Sequence, residues 1–168
     1  MIRLPAGPRL RRALAVAVIA LSTAFAAFGG WAYVDARNDT SLAYAASRDT
    51  ALKAGRTQIV ALSTLDAAHP DTTLRTWLDA STGPLHDELR RAGTGKPSAS
   101  ARGEVTDAAL TELDDRAGSA KLIATVQVRL TPKGGAVTTD RKRFEATLQR
   151  IGSGWKLKAL NAVPVAAP

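Results

Sequence analysis

The chain has 168 residues and a formal charge of +8, from 23 basic and 15 acidic residues, and it contains no cysteine. Four arginines and no acid precede residue 35, so the remaining 19 basic and 15 acidic residues leave the rest at only +4. That scatter of charge serves solubility and excludes a nucleic-acid footprint, while the missing thiol excludes disulfides, thiolate nucleophiles and cysteine-ligated metals.

Residues 1–12 form a basic tail carrying Arg3, Arg9, Arg11 and Arg12, with the rest expected beyond a membrane crossing. From Ala13 to Val34 no residue is charged. A helix over that run spans about 33 Å, enough for a bilayer's hydrocarbon core. The run therefore predicts a transmembrane helix over 13–34. Basic flanks stay cytoplasmic, and Asp35 and Arg37 cancel beyond the span, so the amino end is expected inside and the domain outside. Arg11 and Arg12 suit the inner membrane interface, and Trp31 and Tyr33 the outer one. Ala24-Phe25-Ala26 has the form of a signal-peptide cleavage site. Apolar character persists through Phe28, Trp31 and Val34, which favours a retained anchor. The spacing of Ala13, Ala17, Ala20 and Ala24 fits a helix-packing seam, though so alanine-rich a run produces it readily by chance.

Residues 35–62 are expected as a stalk and first domain helix, helical from about 41. Only Gly55 interrupts, and Leu42, Ala45, Ala46, Leu52, Ile59 and Leu62 approximate one apolar stripe. An extracytoplasmic domain is expected over 63–163. Asp71 can cap a second helix carrying Leu74, Trp77 and Leu78. Pro84 suits the first position of a third helix, with Arg90 and Arg91 at its dipole-favoured end and Gly93 to terminate it.

From residue 101 the period falls to two. A strand is expected over 102–113. In the next, Leu122, Ala124, Val126, Val128 and Leu130 alternate with Lys121, Thr125, Gln127 and Arg129. A hairpin at 131–135 leads to a strand over 139–151, with Phe144, Ala146 and Leu148 on its apolar face. Gly152-Ser153-Gly154 turns it into a last strand over 155–163, with Trp155, Leu157 and Ala159 inward, and 164–168 is a tail. Helices followed by a four-stranded antiparallel meander make an α+β domain, its helices packed on one face of a curved sheet. The expected core is Leu52, Ile59, Leu74, Trp77, Leu78, Leu85, Val126, Val128, Phe144, Leu148, Trp155 and Leu157.

Catalytic chemistry finds little support. His69 and His86 are the only histidines, and neither has a second ligand at metal spacing. His86 and Asp87 project about 100° apart on a helix. Gly152-Ser153-Gly154 is a turn, not a nucleophile elbow, and no phosphate-binding glycine loop occurs. Asp107, Glu112, Asp140 and Glu145 are the carboxylates that could act as acid or base if burial raised their pKa. Asp107 is the best placed, sharing an expected strand face with Val105 and Ala109, whereas Glu145 lies opposite Phe144 and Ala146. No catalytic residue, cofactor or metal is expected. Arg141-Lys142-Arg143 opens a strand and projects to alternate faces, which serves edge protection and, secondarily, contact with anionic lipid headgroups.

The order of tail, span, helix and domain accompanies several short motifs. They are Ala51-Leu52-Lys53-Ala54-Gly55 leading to Ile59-Val60-Ala61-Leu62-Ser63-Thr64-Leu65-Asp66, then Ser81-Thr82-Gly83-Pro84-Leu85, the strand around Val105, and Gly154-Trp155-Lys156-Leu157. Together they resemble the Mce-associated membrane proteins of actinobacteria, with Leu85 standing where that family often has an aromatic. The resemblance implies a cone-shaped domain of the nuclear transport factor 2-like (cystatin-like) class. It also implies a non-catalytic accessory of lipid or steroid import, working in a membrane-protein complex, with oligomerisation left open. Assembly subunits of type IV secretion and conjugation systems pair one span with a domain of the same class and form the alternative. An exported pocket enzyme or lipid carrier is a third reading.

Overall fold

A computed structural model describes residues 8–37, 40–152 and 154–164, with side chains described over 16–34, 41–152 and 154–164. The chain divides into two compact units, residues 1–43 and 44–168.

The first unit is dominated by α1, Pro8–Arg37. Val16–Val34 is long and apolar enough to cross a membrane by length and composition. Ile19, Leu21, Phe25, Phe28 and Trp31 are all exposed on it. Ser22 Oγ donates to the Val18 carbonyl and Thr23 Oγ1 to the Ile19 carbonyl, each at 2.8 Å. Both hydroxyls are thus satisfied within the helix, as a hydrocarbon surrounding requires. The backbone of Arg11 and Arg12 belongs to α1. Their side chains, residues 1–7, residues 38–39 between the two long helices, Ser153 and residues 165–168 lie outside the described residues.

The second unit begins within α2, Thr40–Leu62, and continues with α3, Pro70–Ala80, and α4, Gly83–Ala92. Four strands follow: β1 (Ala99–Asp114), β2 (Ser119–Pro132), β3 (Thr138–Ile151) and β4 (Gly154–Val163). Each pairs antiparallel with the next, in sheet order β1-β2-β3-β4. One sheet face carries Leu122, Ala124, Val126, Val128, Ala146, Leu148, Trp155 and Leu157, all buried, and α2 packs on it through Ala51 and Ile59. Gly55, midway between those two, is also buried. A Cβ there would collide with Leu122 Cδ2 and lie 3.2 Å from Leu148 Cδ1. The residue that interrupts the apolar stripe is therefore where helix and sheet come closest. Leu42, Ala45 and Ala46 are exposed, so the buried stripe begins only at Ala51.

Helix ends differ from expectation in two places. Asp71 does not cap α3: Pro70 opens the helix, His69 occupies the cap position without a side-chain bond, and Asp71 falls in the first turn. Proline's preset φ and missing amide fit that first position, which puts the acid two places inward of the cap. Thr82 is the cap residue of α4, with Gly83 before Pro84, so Pro84 is its second residue. The α2 C-terminus is closed by a distant side chain. Trp77 Nε1 donates to the Ala61 carbonyl in the last turn of α2 and to the Thr64 carbonyl just beyond it, both at 3.0 Å.

Two β-bulges overturn the simple alternation in β1. Val105 pairs with Val126 but Asp107 with Thr125, and a second shift falls between Leu110 and Glu112. Thr106 is the extra residue in the first, so inward positions change from odd to even. Ala108 and Leu110 then pack against the core, while Asp107 and Ala109 are exposed. A third shift, opposite Thr147 and Leu148, leaves Lys158 extra on β4, and Leu160 packs against the core beyond it. Leu130, expected inward, is 37% exposed because it lies beyond the reach of the helices at the sheet's end.

Candidate interaction surface

Of the residues expected in the core, Ile59, Val126, Val128, Leu148, Trp155 and Leu157 are buried. Leu52, Leu74, Trp77, Leu78, Leu85 and Phe144 are half-buried. Trp31 and Tyr33 stand exposed on α1. The helix-covered face carries the buried core, which leaves the other face and the edges as the larger exposed surfaces of the sheet.

That outer face holds three of the candidate acids, Asp107, Glu112 and Glu145, while Asp140 lies on the other face opposite Val128, and all four are exposed. Asp107 borders a hollow of about 70 Å³ shared with Ala109, Ile123, Thr125 and Arg143. Glu112 pairs with Lys121 Nζ at 3.0 Å, and Asp140 with Lys142 Nζ at 3.2 Å. His69 Nδ1 meets Asp66 Oδ2 at 2.9 Å, and His86 Nδ1 lies 3.1 Å from an Arg90 nitrogen. Among the described residues no three of His, Cys, Asp and Glu gather closely enough to hold a metal.

Two polar arrangements on this domain arise from strand register, which sequence periodicity does not report. The first is a clasp at the end of the sheet where β1 stops. Ser47 Oγ on α2 donates to Asp115 Oδ1. Arg150 NH2 donates to Ser47 Oγ at 2.8 Å and also pairs with the Asp115 carboxylate. The same guanidinium lies 4.6 Å from the centre of the Trp155 ring, a cation–π placement. The clasp ties α2, just after the unit begins, to the β1–β2 turn and to β3.

The Ser47 hydroxyl first, and Arg150 second, hold the Asp115 carboxyl below its ordinary value. A carboxyl depressed in the folded state binds its proton more readily when unfolded. Its contribution is complete above the ordinary carboxylate range, about pH 4, and is lost as pH falls through the lower, folded value. Asp66, lowered chiefly by its hydrogen bond to His69, behaves alike. Thermal melts of the detergent-solubilised chain are therefore expected to lose midpoint between about pH 5 and about pH 3. Asp115→Asn should start lower at neutral pH and lose less on acidification. An acid limb as steep in that variant as in the wild type would rule the clasp out as its source.

The second arrangement is basic and stands at the opposite end of the sheet. Arg102 pairs directly with Arg129 across β1 and β2, Gln127 with Arg141 across β2 and β3, and Thr125 with Arg143. All four arginines are exposed. Lys142, between two of them in sequence, turns to the other face and pairs with Asp140. A hollow of about 520 Å³ opens here, lined by Val60, Arg102, Gly103, Glu104, Gln127 and Arg129.

Both edges of the sheet are partly shielded. Leu65 and Ala101 exchange backbone hydrogen bonds of 2.8 Å beside β1, and Thr82 N donates to the Leu157 carbonyl at 2.8 Å beside β4. Such short bridges blunt an edge against unwanted pairing. The motif Ser81-Thr82-Gly83-Pro84 thus meets the motif Gly154-Trp155-Lys156-Leu157 in space.

No protein-family model matches this chain, and no curated protein matches it in sequence. Solved structures do match in fold. CagV, a VirB8 homolog of the type IV secretion system of Helicobacter pylori, aligns with TM-score 0.55 at 9% identity, over 67% of this chain and 95% of its own. An IcmL-like type IV secretion system protein of Legionella pneumophila aligns with TM-score 0.54 at 12% identity, over 72% of this chain and 95% of its own. An Ntf2-like protein involved in plasmid conjugation aligns with TM-score 0.52 at 9% identity, over 73% of this chain and 51% of its own. At such identities the likeness establishes the fold alone: helices packed on a four-stranded antiparallel sheet, an α+β architecture shared with these structures.

Proposed function

We propose that this protein is a membrane-anchored, non-catalytic assembly subunit of a type IV secretion or conjugation-type machine. The observation that carries the reading is the order of parts. One apolar helix, Val16–Val34, leads into a domain whose fold is shared with VirB8-type secretion proteins. In this reading α1 anchors the chain with its arginine-rich end in the cytoplasm, and the domain presents its outer sheet face to neighbouring subunits. Absence of catalysis is part of the proposal and is supported by the exposure of Asp107, Glu112, Asp140 and Glu145. A carboxylate in open water has nothing to hold a substrate against it.

The Mce-associated reading stands second. It rests on the sequence motifs, and the bridge between Ser81 and Leu157 gives two of those motifs a folding role that any domain of this class could use.

Purification of the tagged full chain from detergent-solubilised native membranes decides between these readings. Secretion-machine subunits should co-purify; Mce-type transporter subunits in their place would favour the second reading. Recovery of the chain alone would overturn both. Orientation is testable because the chain has no cysteine. Cysteine introduced at Asp49 should react with a membrane-impermeant maleimide in intact cells, and cysteine at Arg3 should not.

A further inference from the structure

The assembly reading leaves open where a neighbour would dock, and the register of β1, β2 and β3 narrows the choice. Arg102 and Arg129 face each other directly, and Arg141 and Arg143 follow on the same outer face. Like charges opposite one another in a sheet destabilise it. Yet the ion pairs among the described residues use other groups, such as Lys121 with Glu112 and Lys142 with Asp140. Glu104 and Asp107 share this face on β1 without joining an ion pair with any of the four.

Among the described residues, an edge beside the arginines has no strand paired to it. β4 ends at Val163, opposite Arg143, whereas β3 begins at Thr138. Among the described residues, 138–142 therefore have β2 on one side and no strand on the other. An extended segment laid there would complete the backbone ladder, and its alternate side chains would fall beside Arg141 on the outer face.

The unpaired backbone ladder beside the arginines favours a protein partner over the bilayer surface, since a lipid headgroup has no backbone to complete it. Ser47, near the start of the unit, is clasped at the other end of the sheet by Asp115 and Arg150. From Ser47, α2 runs about 22 Å to Leu62, and Leu65 then pairs with Ala101, next to Arg102. The arginines thus stand at the end of the sheet opposite the Ser47 clasp.

We propose that this end of the sheet binds an acidic, extended segment of a partner protein. The segment adds as a strand to β3 at 138–142 and pairs its carboxylates with Arg129, Arg141 and Arg143. Charge-assisted pairs of this kind are short and strong, and Arg is the side chain best shaped for carboxylates.

The inference supplies a partner chemistry for the assembly reading, but its test is independent of it. The full chain is held in phosphatidylcholine nanodiscs and titrated with an alternating Glu-Thr octapeptide, whose acids share one face when extended. The peptide should bind in a salt-sensitive manner and slow amide exchange within 138–142. In Arg129→Gln/Arg141→Gln the affinity should fall at least about tenfold. The same charge loss elsewhere, Lys53→Gln/Lys158→Gln, should leave it unchanged, and Arg129→Lys/Arg141→Lys should retain most of it.

No binding, or equal loss in both glutamine variants, would overturn the proposal. So would a chain that ignores the peptide and instead binds vesicles of phosphatidylcholine and phosphatidylglycerol through the same arginines. A peptide that fails to bind leaves the co-purification result standing, and a chain that co-purifies with nothing leaves the peptide result standing.

Discussion

Substituting arginine for both Leu21 and Phe25 is expected to move the protein out of the membrane fraction. Phe25 is the midpoint of Val16–Val34, and Leu21 lies one helical turn away, both exposed on α1. A charged residue near the centre of a spanning helix costs about 2.5–3.5 kcal/mol on insertion scales, so two cost about 5–7 kcal/mol. Against this, each Leu, Ile, Val or Phe contributes only about 0.3–0.6 kcal/mol, and much of the run is alanine. The insertion margin is therefore small and two central charges exceed it. Carbonate-washed membranes should retain the wild type and Phe25→Leu but not the double arginine variant. Retention of the arginine variant would show that α1 is not what holds the protein there.

The elements legible in the sequence are those with a clean period. Alternation from Leu122 to Val128 marks a buried strand because β2 is central over that stretch, with β1 and β3 on its two sides and α2 above one face. The apolar run of α1 is equally plain, since nothing but length and uncharged composition defines it. β1 is less legible, because a bulge inserts one residue and exchanges the faces without any change in composition. Reading Val105, Asp107 and Ala109 as one face is correct for a regular strand and wrong here, since Thr106 has no partner in the ladder.

Long-range arrangements leave still less trace in the sequence. Ser47, Asp115 and Arg150 look like ordinary surface residues until the fold brings α2 to the end of β3. The Arg141-Lys142-Arg143 run reads as alternating, but only the pairing of β1 with β2 and β2 with β3 adds Arg102 and Arg129 to its outer half. Trp77 reads as a core aromatic, and its indole N–H instead closes the end of α2. Periodicity reports which face a residue occupies; it is silent about which partner it meets there.

Close approaches of backbone are the other illegible feature, and they lead to the largest expected loss of stability. Gly103 on β1 is buried, and a Cβ there would collide with Ser63 Cβ and lie 3.1 Å from the Ser63 carbonyl oxygen. Because the obstacle includes backbone, no rotamer change relieves it, and the end of α2 must move away from β1. That displacement strains the paired bonds between Leu65 and Ala101 and the bond from Gly103 N to Thr64 Oγ1. Overpacking of this kind costs about 1–3 kcal/mol, and each weakened hydrogen bond adds about 0.5–1.5 kcal/mol. Replacing a strand glycine recovers at most about 1 kcal/mol of that. Gly103→Ala should therefore destabilise the domain by about 2–4 kcal/mol.

Gly55→Ala meets the tips of Leu122 and Leu148 rather than backbone, and a helix interior returns about 1 kcal/mol on replacing glycine by alanine. Its loss should be smaller than that of Gly103→Ala. Gly154→Ala, with nothing within 4 Å of the added carbon, should stay within about 0.5 kcal/mol of wild type. The order of unfolding midpoints, Gly154→Ala above Gly55→Ala above Gly103→Ala, is the checkable result. If Gly103→Ala melted with Gly154→Ala, the close seat of α2 on β1 would have to be abandoned.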